Sequence, residues 1–174
     1  MINDKDLNKI KMLVMDVDGT LTDGKIYVGE NGEVFKAFNV KDGYRLVNLV
    51  NDGIIPVIIT GKTSHILLRR AAELNITEVF QGIDNKLSIL NEVIEKYQLS
   101  YENVAYIGDD VNDLECMNSC YVKACPADAI GEVLDVVDYT CKMNGGNGAV
   151  REFIDLIVKT QSNTVPFVEV NTYR

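Results

Sequence analysis

Short apolar runs at residues 12–15, 54–59, 78–80, 103–107, 121–124 and 139–140 alternate along the chain with stretches whose apolar residues recur at helical spacing. An apolar run with no polar face reads as a strand buried on both sides, the pattern of a parallel sheet. Between the runs, Tyr44, Leu46, Val47, Leu49 and Val50 predict a helix over 42–51, and Leu87, Leu90, Val93, Ile94 and Tyr97 predict one over 85–97. Further helices are expected over 64–74, from near Asn112, over 128–134 and over 149–159, with a short helical lead-in at 3–10. Strand and helix in regular alternation imply a three-layer α/β/α arrangement with helices on both faces of a parallel sheet.

The punctuation refines this outline. Asp42 is the expected N-cap of the first long helix, and Asn51-Asp52-Gly53 its stop. Pro56 is compatible with a strand only near its start or where its nitrogen has no ladder partner. In residues 24–39, β-prone runs flank Asn31-Gly32, a dipeptide that suits a two-residue hairpin, so a small flap should project there. Gly145-Gly146-Asn147-Gly148 makes a loop before the last helix, and residues 160–174 read as an extended tail. No internal repeat or linker interrupts residues 1–174, which are read as one domain.

Composition narrows the function. The 174 residues are 47% hydrophobic and 25% charged, as in a globular protein, and the net charge of −9 argues against nucleic acid or an anionic membrane surface as partner. No run approaches a membrane span, and the polar N-terminus lacks the apolar core of a signal peptide. Cys116, Cys120, Cys125 and Cys141 form neither a CxxC pair nor a disulfide framework, and the single His65 lies far from them, so reduced thiols in a cytoplasmic protein are expected.

The chemistry gathers where strands end. Asp16 and Asp18 follow the first apolar run, and at a strand end residues i and i+2 point the same way. Two adjacent carboxylates at the end of a buried strand repel each other and call for something positive between them. Thr60-Gly61 closes the second run and Asp109-Asp110 the fourth. In parallel sheets ligands bind at these carboxyl ends. Phosphoryl transfer to a carboxylate would use every part: Asp16 as nucleophile, Asp18 as general acid and then base, and Asp16, Asp109 and the carbonyl of Asp18 as an oxygen shell for Mg²⁺. Thr60, Gly61 and Lys86 would hold the phosphate, Lys86 also favouring ionised Asp16, while Asp110 and Asp113 would support the shell from behind. Singly, each has an ordinary reading: a strand ending in a solvated turn, a solvated lysine, a strand-end threonine, an acidic helix cap. Their ordered recurrence at successive strand ends favours the joint reading.

The order DVDGT, ITG, Lys86, GDDVND resembles the four motifs of the haloacid dehalogenase superfamily over nearly the whole chain. In DVDGTLTDGKIYVGENGEVFKAFNVKDGYRL, FQGIDNK, VAYIGDDVNDLECM and GGNGAVREF the chain closely resembles the capless 3-deoxy-D-manno-octulosonate 8-phosphate phosphatase family, with the phosphatases of nine-carbon ulosonate 9-phosphates sharing much of the pattern. The resemblance implies a Rossmann-like domain without a separate cap, an acidic sugar phosphate as substrate, a role in lipopolysaccharide biosynthesis, and a homotetramer in which a neighbour closes the site. It also implies that Lys62 and Arg70 meet the substrate carboxylate. Family members commonly carry Arg at the first of these, so Lys62 keeps the charge and loses the bidentate fork. For Arg70 a surface arginine on a solvated helix face is the alternative. A catalytically silent homologue is a third class of reading, against which the intact set Asp16, Asp18, Thr60, Lys86 and Asp109 argues. A response-regulator receiver would carry its acceptor Asp on a middle strand, and GGNG lacks the full dinucleotide fingerprint.

Overall fold

A computed structural model describes residues 2–162. Six parallel strands form one sheet: β1 (Met12–Met15), β4 (Ile55–Ile59), β5 (Glu78–Phe80), β6 (Val104–Ile107), β7 (Val122–Cys125) and β8 (Tyr139–Thr140). Strands β2 (Tyr27–Gly29) and β3 (Gly32–Phe35) make a separate antiparallel hairpin. The sheet order is β5-β4-β1-β6-β7-β8. After β1 the chain first builds outward through β4 and β5, then returns to the other side for β6, β7 and β8. The order reverses beside β1, and such a switch point leaves a crevice outside the carboxyl ends of the central strands.

Six helices complete the layers: α1 (Val40–Leu49), α2 (His65–Glu73), α3 (Lys86–Lys96), α4 (Leu114–Ser119), α5 (Gly131–Leu134) and α6 (Ala149–Ser162). Alternation within the strands assigns each side chain to one of two cores. Leu13, Met15 and Ile58 pack with Leu46 of α1, Leu67 of α2 and Phe153 of α6, whereas Met12, Val14 and Val57 pack with Leu90 of α3 and Met117 of α4. All four residues of β1 are buried, because this strand is covered on both faces and paired on both edges. Pro56 is tolerated for the expected reason: it pairs with Leu13, and the β4–β5 ladder begins only at Val57.

Several local expectations change. Asn39, not Asp42, caps α1, its side chain accepting from the Lys41 N–H, while the buried Asp42 side chain accepts from the Arg151 N–H at 2.7 Å, near the start of α6. The hairpin turn is Glu30-Asn31, since Gly29 already pairs with Gly32, and Gly32 supplies the positive φ of +100°. Helix α5 is confined to four residues, and α6 continues through Ser162, so 160–162 are helical rather than tail. The remainder of the expected tail, 163–174, lies outside the described residues. The expected lead-in at 3–10 is two 3₁₀ turns, Ile2–Asp4 and Leu7–Lys9.

Candidate active site

Asp16 stands one residue past β1, Thr60 one past β4, and Asp109 two past β6, and these three adjacent strands bring them together. They line a pocket of about 310 Å³ with Asp18, Gly24, Gly61, Lys62, Asp110 and Asn112. Of the residues proposed from sequence, Lys86 and Asp113 do not line this pocket but bond to residues that do, while Arg70 lies elsewhere. Arg70 borders an apolar cavity between α1 and α2, beside Asp42 and Gly43, and pairs with Glu73 at 3.1 Å.

Lys86 opens α3, where Asn85 caps the helix, and its side chain is buried rather than solvated. Its Nζ donates to Asp16 Oδ1 at 2.5 Å and to Asp113 Oδ1 at 2.8 Å. Asp113 is wholly buried, and four donors converge on it. Oδ1 also accepts from the Tyr106 hydroxyl at 2.7 Å, and Oδ2 accepts the backbone N–H groups of Asp109 and Asp110 at 3.1 and 3.4 Å. Two carboxylate oxygens offer about four acceptor positions, so this side chain is fully engaged in holding Lys86 and the 109–110 backbone.

Asp16 and Asp109 are held less completely. Asp109 Oδ1 accepts from the Thr20 hydroxyl at 2.9 Å. Burial, with the nearby charge of Asp113, pushes the Asp16 carboxyl up to about 7 against the pull of Lys86. Burial is also the main reason that Asp109 rises to about 6, Thr20 opposing it. Lys86 therefore acts on Asp16 in the expected direction but is outweighed by desolvation and by the other acids. Its own ammonium is raised: burial works against the charge, and the two carboxylates more than restore it.

A concentration of unneutralised acid in a half-buried crevice is the electrostatic setting for a cation. Asp16, Asp109 and Asp113 each present a ligand atom within 4.8 Å of the others. The donors are all carboxylate oxygens, which suits a hard divalent ion rather than zinc. Because Asp113 is already saturated by four hydrogen bonds, Asp16 and Asp109 are the side chains with capacity to spare.

The hairpin contributes a group that the sequence reading missed. Lys36, just beyond β3, extends its side chain into the structure and pairs with Asp18 and, at 3.2 Å, with Glu33. Glu33 accepts a hydrogen bond from the Ser64 hydroxyl at the cap of α2. A lysine next to a β-strand in a projecting flap carries no sequence signal for this, since the contact spans 18 residues and depends on how the flap folds back. Tyr106 was similarly concealed, reading as one more apolar strand residue.

A haloacid dehalogenase-like hydrolase family model matches residues 72–154. The 3-deoxy-D-manno-octulosonate 8-phosphate phosphatase KdsC of Escherichia coli K12 is 43% identical over 152 residues, covering 87% of this chain and 81% of that protein. The same phosphatase from Yersinia pestis superposes with a TM-score of 0.87 at 42% identity, over 90% of this chain and 84% of the other. That of Moraxella catarrhalis, solved with a magnesium ion, a phosphate ion and a KDO molecule, gives 0.87 at 41% identity, over 90% of each chain. A cobalt-bound counterpart from Haemophilus influenzae gives 0.87 at 37%, over 90% of this chain and 91% of that one.

Proposed function

The chain belongs to the haloacid dehalogenase-like hydrolases, and from that premise we propose that it is a Mg²⁺-dependent phosphatase that converts 3-deoxy-D-manno-octulosonate 8-phosphate to the free sugar acid and phosphate. The observation that carries this reading is the convergence of Asp16, Thr60 and Asp109 on one pocket at the switch point, with buried Lys86 behind them.

Asp16 is the nucleophile. Its Oδ1 is held by Lys86, which fixes the carboxylate and leaves Oδ2 to attack phosphorus, forming an aspartyl-phosphate as the bond to the sugar oxygen breaks. Asp18, on the same wall of the pocket, gives its proton to the departing alcohol and afterwards takes one from the water that hydrolyses the aspartyl-phosphate. Thr60 with Gly61 holds the phosphate oxygens, and Lys86, with three N–H donors and two engaged by carboxylates, keeps one for the same purpose. Lys62, on the pocket wall, would meet the substrate's carboxylate, whereas Arg70 borders a different cavity and does not line this pocket. Asp16 and Asp109, with the Asp18 carbonyl, would hold Mg²⁺, and Asp110 and Asp113 would steady that set from behind. Bound there, the ion supplies positive charge against the phosphate oxygens.

The wider setting follows the same logic. Ile26, Val28, Val34 and Phe35 of the hairpin region are exposed, which supports their burial against another subunit, and the family resemblance makes that assembly a homotetramer in which a neighbour closes the site. All four cysteines are free and buried, in keeping with a cytoplasmic protein. No helix among the described residues is long and apolar enough to cross a membrane.

The test is a phosphate-release profile over eight- and nine-carbon ulosonate phosphates, in EDTA and after Mg²⁺ is restored. The eight-carbon substrate should be preferred, chelation should abolish turnover, and Asp16→Asn should lower it by about three orders of magnitude or more. Preference for the nine-carbon ester would reassign the substrate, and full activity without metal would overturn the mechanism.

A further inference from the structure

Asp18 differs from the other acids of the pocket in how it is held. Asp16 is fixed by Lys86, Asp109 by Thr20, and Asp113 by four donors, all from β6, α3 or the loops that directly follow β1 and β6. Among the described residues, the partner recorded for the Asp18 carboxylate is Lys36, which comes from the hairpin. The Lys36 side chain is only 5% exposed, so its charge is shielded from solvent and salt more than a surface lysine's would be. It is anchored in turn: Glu33 pairs with it at 3.2 Å, and Glu33 accepts from Ser64, whose own N–H donates to Gln81 Oε1 at 2.8 Å. A continuous polar chain therefore runs from the mouth of β5 through the cap of α2 and the hairpin to Asp18.

Resting on the reading of Asp18 as acid and base, we propose that Lys36 is a positioning residue that aims the Asp18 carboxyl at the leaving oxygen. An aspartate on a loop has free rotation about χ1, and a general acid works only within hydrogen-bond reach of the atom it protonates. Lys36 on Oδ1 fixes the rotamer and leaves Oδ2 to carry the proton. As Asp16 bonds to phosphorus and the ester bond breaks, that proton passes from Oδ2 to the leaving oxygen. The Lys36 ammonium keeps its own protons throughout.

A residue that positions the acid has a signature that a mere flap anchor or a sugar contact lacks. Its loss should matter in proportion to how much the leaving group needs a proton. We would measure kcat/KM for a series of aryl phosphates from p-nitrophenyl to phenyl, which carry no sugar, with the wild-type enzyme, Lys36→Met, Lys36→Arg and Asp18→Asn. Lys36→Met should lose about 10- to 100-fold on the poorest leaving group and less than about 3-fold on p-nitrophenyl phosphate, a fraction of the full general-acid contribution. Asp18→Asn should steepen the same dependence further, and Lys36→Arg should restore much of it. If Lys36→Met is insoluble, Lys36→Gln reads the same slope. An equal loss across the series, or a loss confined to the sugar phosphate, would overturn the role of Lys36. A flat series for Asp18→Asn would overturn it together with the acid assignment of Asp18, which separates the two failures.

Discussion

At the scale of single residues, the site divides into acids with bonding capacity to spare and one acid with none. Asp113 binds an ammonium, a phenol and two backbone N–H groups while fully buried, so its work is to hold other groups in place. Changing it to Asn removes the charge that balances Lys86 and turns one acceptor into a donor. Whichever way the amide lies, an N–H then faces an N–H or an ammonium. Asp113→Asn should therefore cost about 3 kcal/mol of stability, the range for breaking a buried, hydrogen-bonded pair. Urea unfolding of both proteins measures it, and a loss below about 1 kcal/mol would mean that the converging donors find other partners. This position was legible in sequence as a supporting residue, because the spacing from Asp109 places it one turn on. Its partner Tyr106 was not, because a tyrosine inside an apolar strand run looks the same whether or not its hydroxyl is bonded.

At the scale of elements, the loop before α6 has a larger part than its sequence suggests. A Cβ added to Gly145 would lie 1.8 Å from the carbonyl oxygen of Gly19, in the turn that carries Asp16 and Asp18. Backbone meets backbone there, so no rotamer change relieves the clash. The Gly146 N–H bonds to the Thr20 carbonyl at 3.0 Å and ties the two loops together. Gly145→Ala must move one of these two loops against the other, and the 16–23 turn carries Asp16 and Asp18. Since displacements near 1 Å can cost about 100-fold in rate, kcat should fall by at least about 10-fold. Steady-state kinetics with a parallel melting curve checks this, and unchanged kcat would show that the turn is held by β1 alone. From sequence, GGNG could be recognised only as a loop, because the need for glycine arises from a segment more than 120 positions away. Asp42 was misread for a related reason. Local pattern offered it as the cap of α1, but tertiary packing turns its carboxylate to the Arg151 N–H and leaves the cap to Asn39. The strands, by contrast, were readable to within a residue or two, since β1, β4 and β6 are buried on both faces and their apolar runs are uninterrupted.

At the scale of the whole molecule, a sheet whose central strands are covered on both faces stands beside a hairpin that is mostly exposed. Every residue of β3 is exposed, Tyr27 and Phe35 stack at 4.1 Å between ring centroids, and Val28 is 72% exposed. A two-stranded ribbon has too little core to be stable alone, and this one is fastened to the body mainly through Lys36 and Glu33, leaving its apolar groups in water. In the sequence, Ile26, Tyr27, Val28, Val34, Phe35 and Phe38 give the flap more apolar surface than an isolated two-stranded ribbon can keep in water, and of these Phe38 packs against the core of the body instead. Closed rotational symmetry would let each copy cover the same face of another. The polar edge of the ribbon that reaches Asp18 and Ser64 belongs to the same short element, so burying its apolar face on a neighbour would also steady the groups over the pocket. Assembly and catalysis should then be coupled. Tyr27→Asp with Phe35→Asp places two charges in that face, changes no residue that lines the pocket, and should lower the mass measured by light scattering. Its rate on the sugar phosphate should fall by about 10-fold or more while that on a small aryl phosphate, which needs little lid contact, changes far less. A folded monomer that kept its sugar-phosphate kcat/KM would show that each subunit completes its own site, and the exposed ribbon would then need a different partner to explain it.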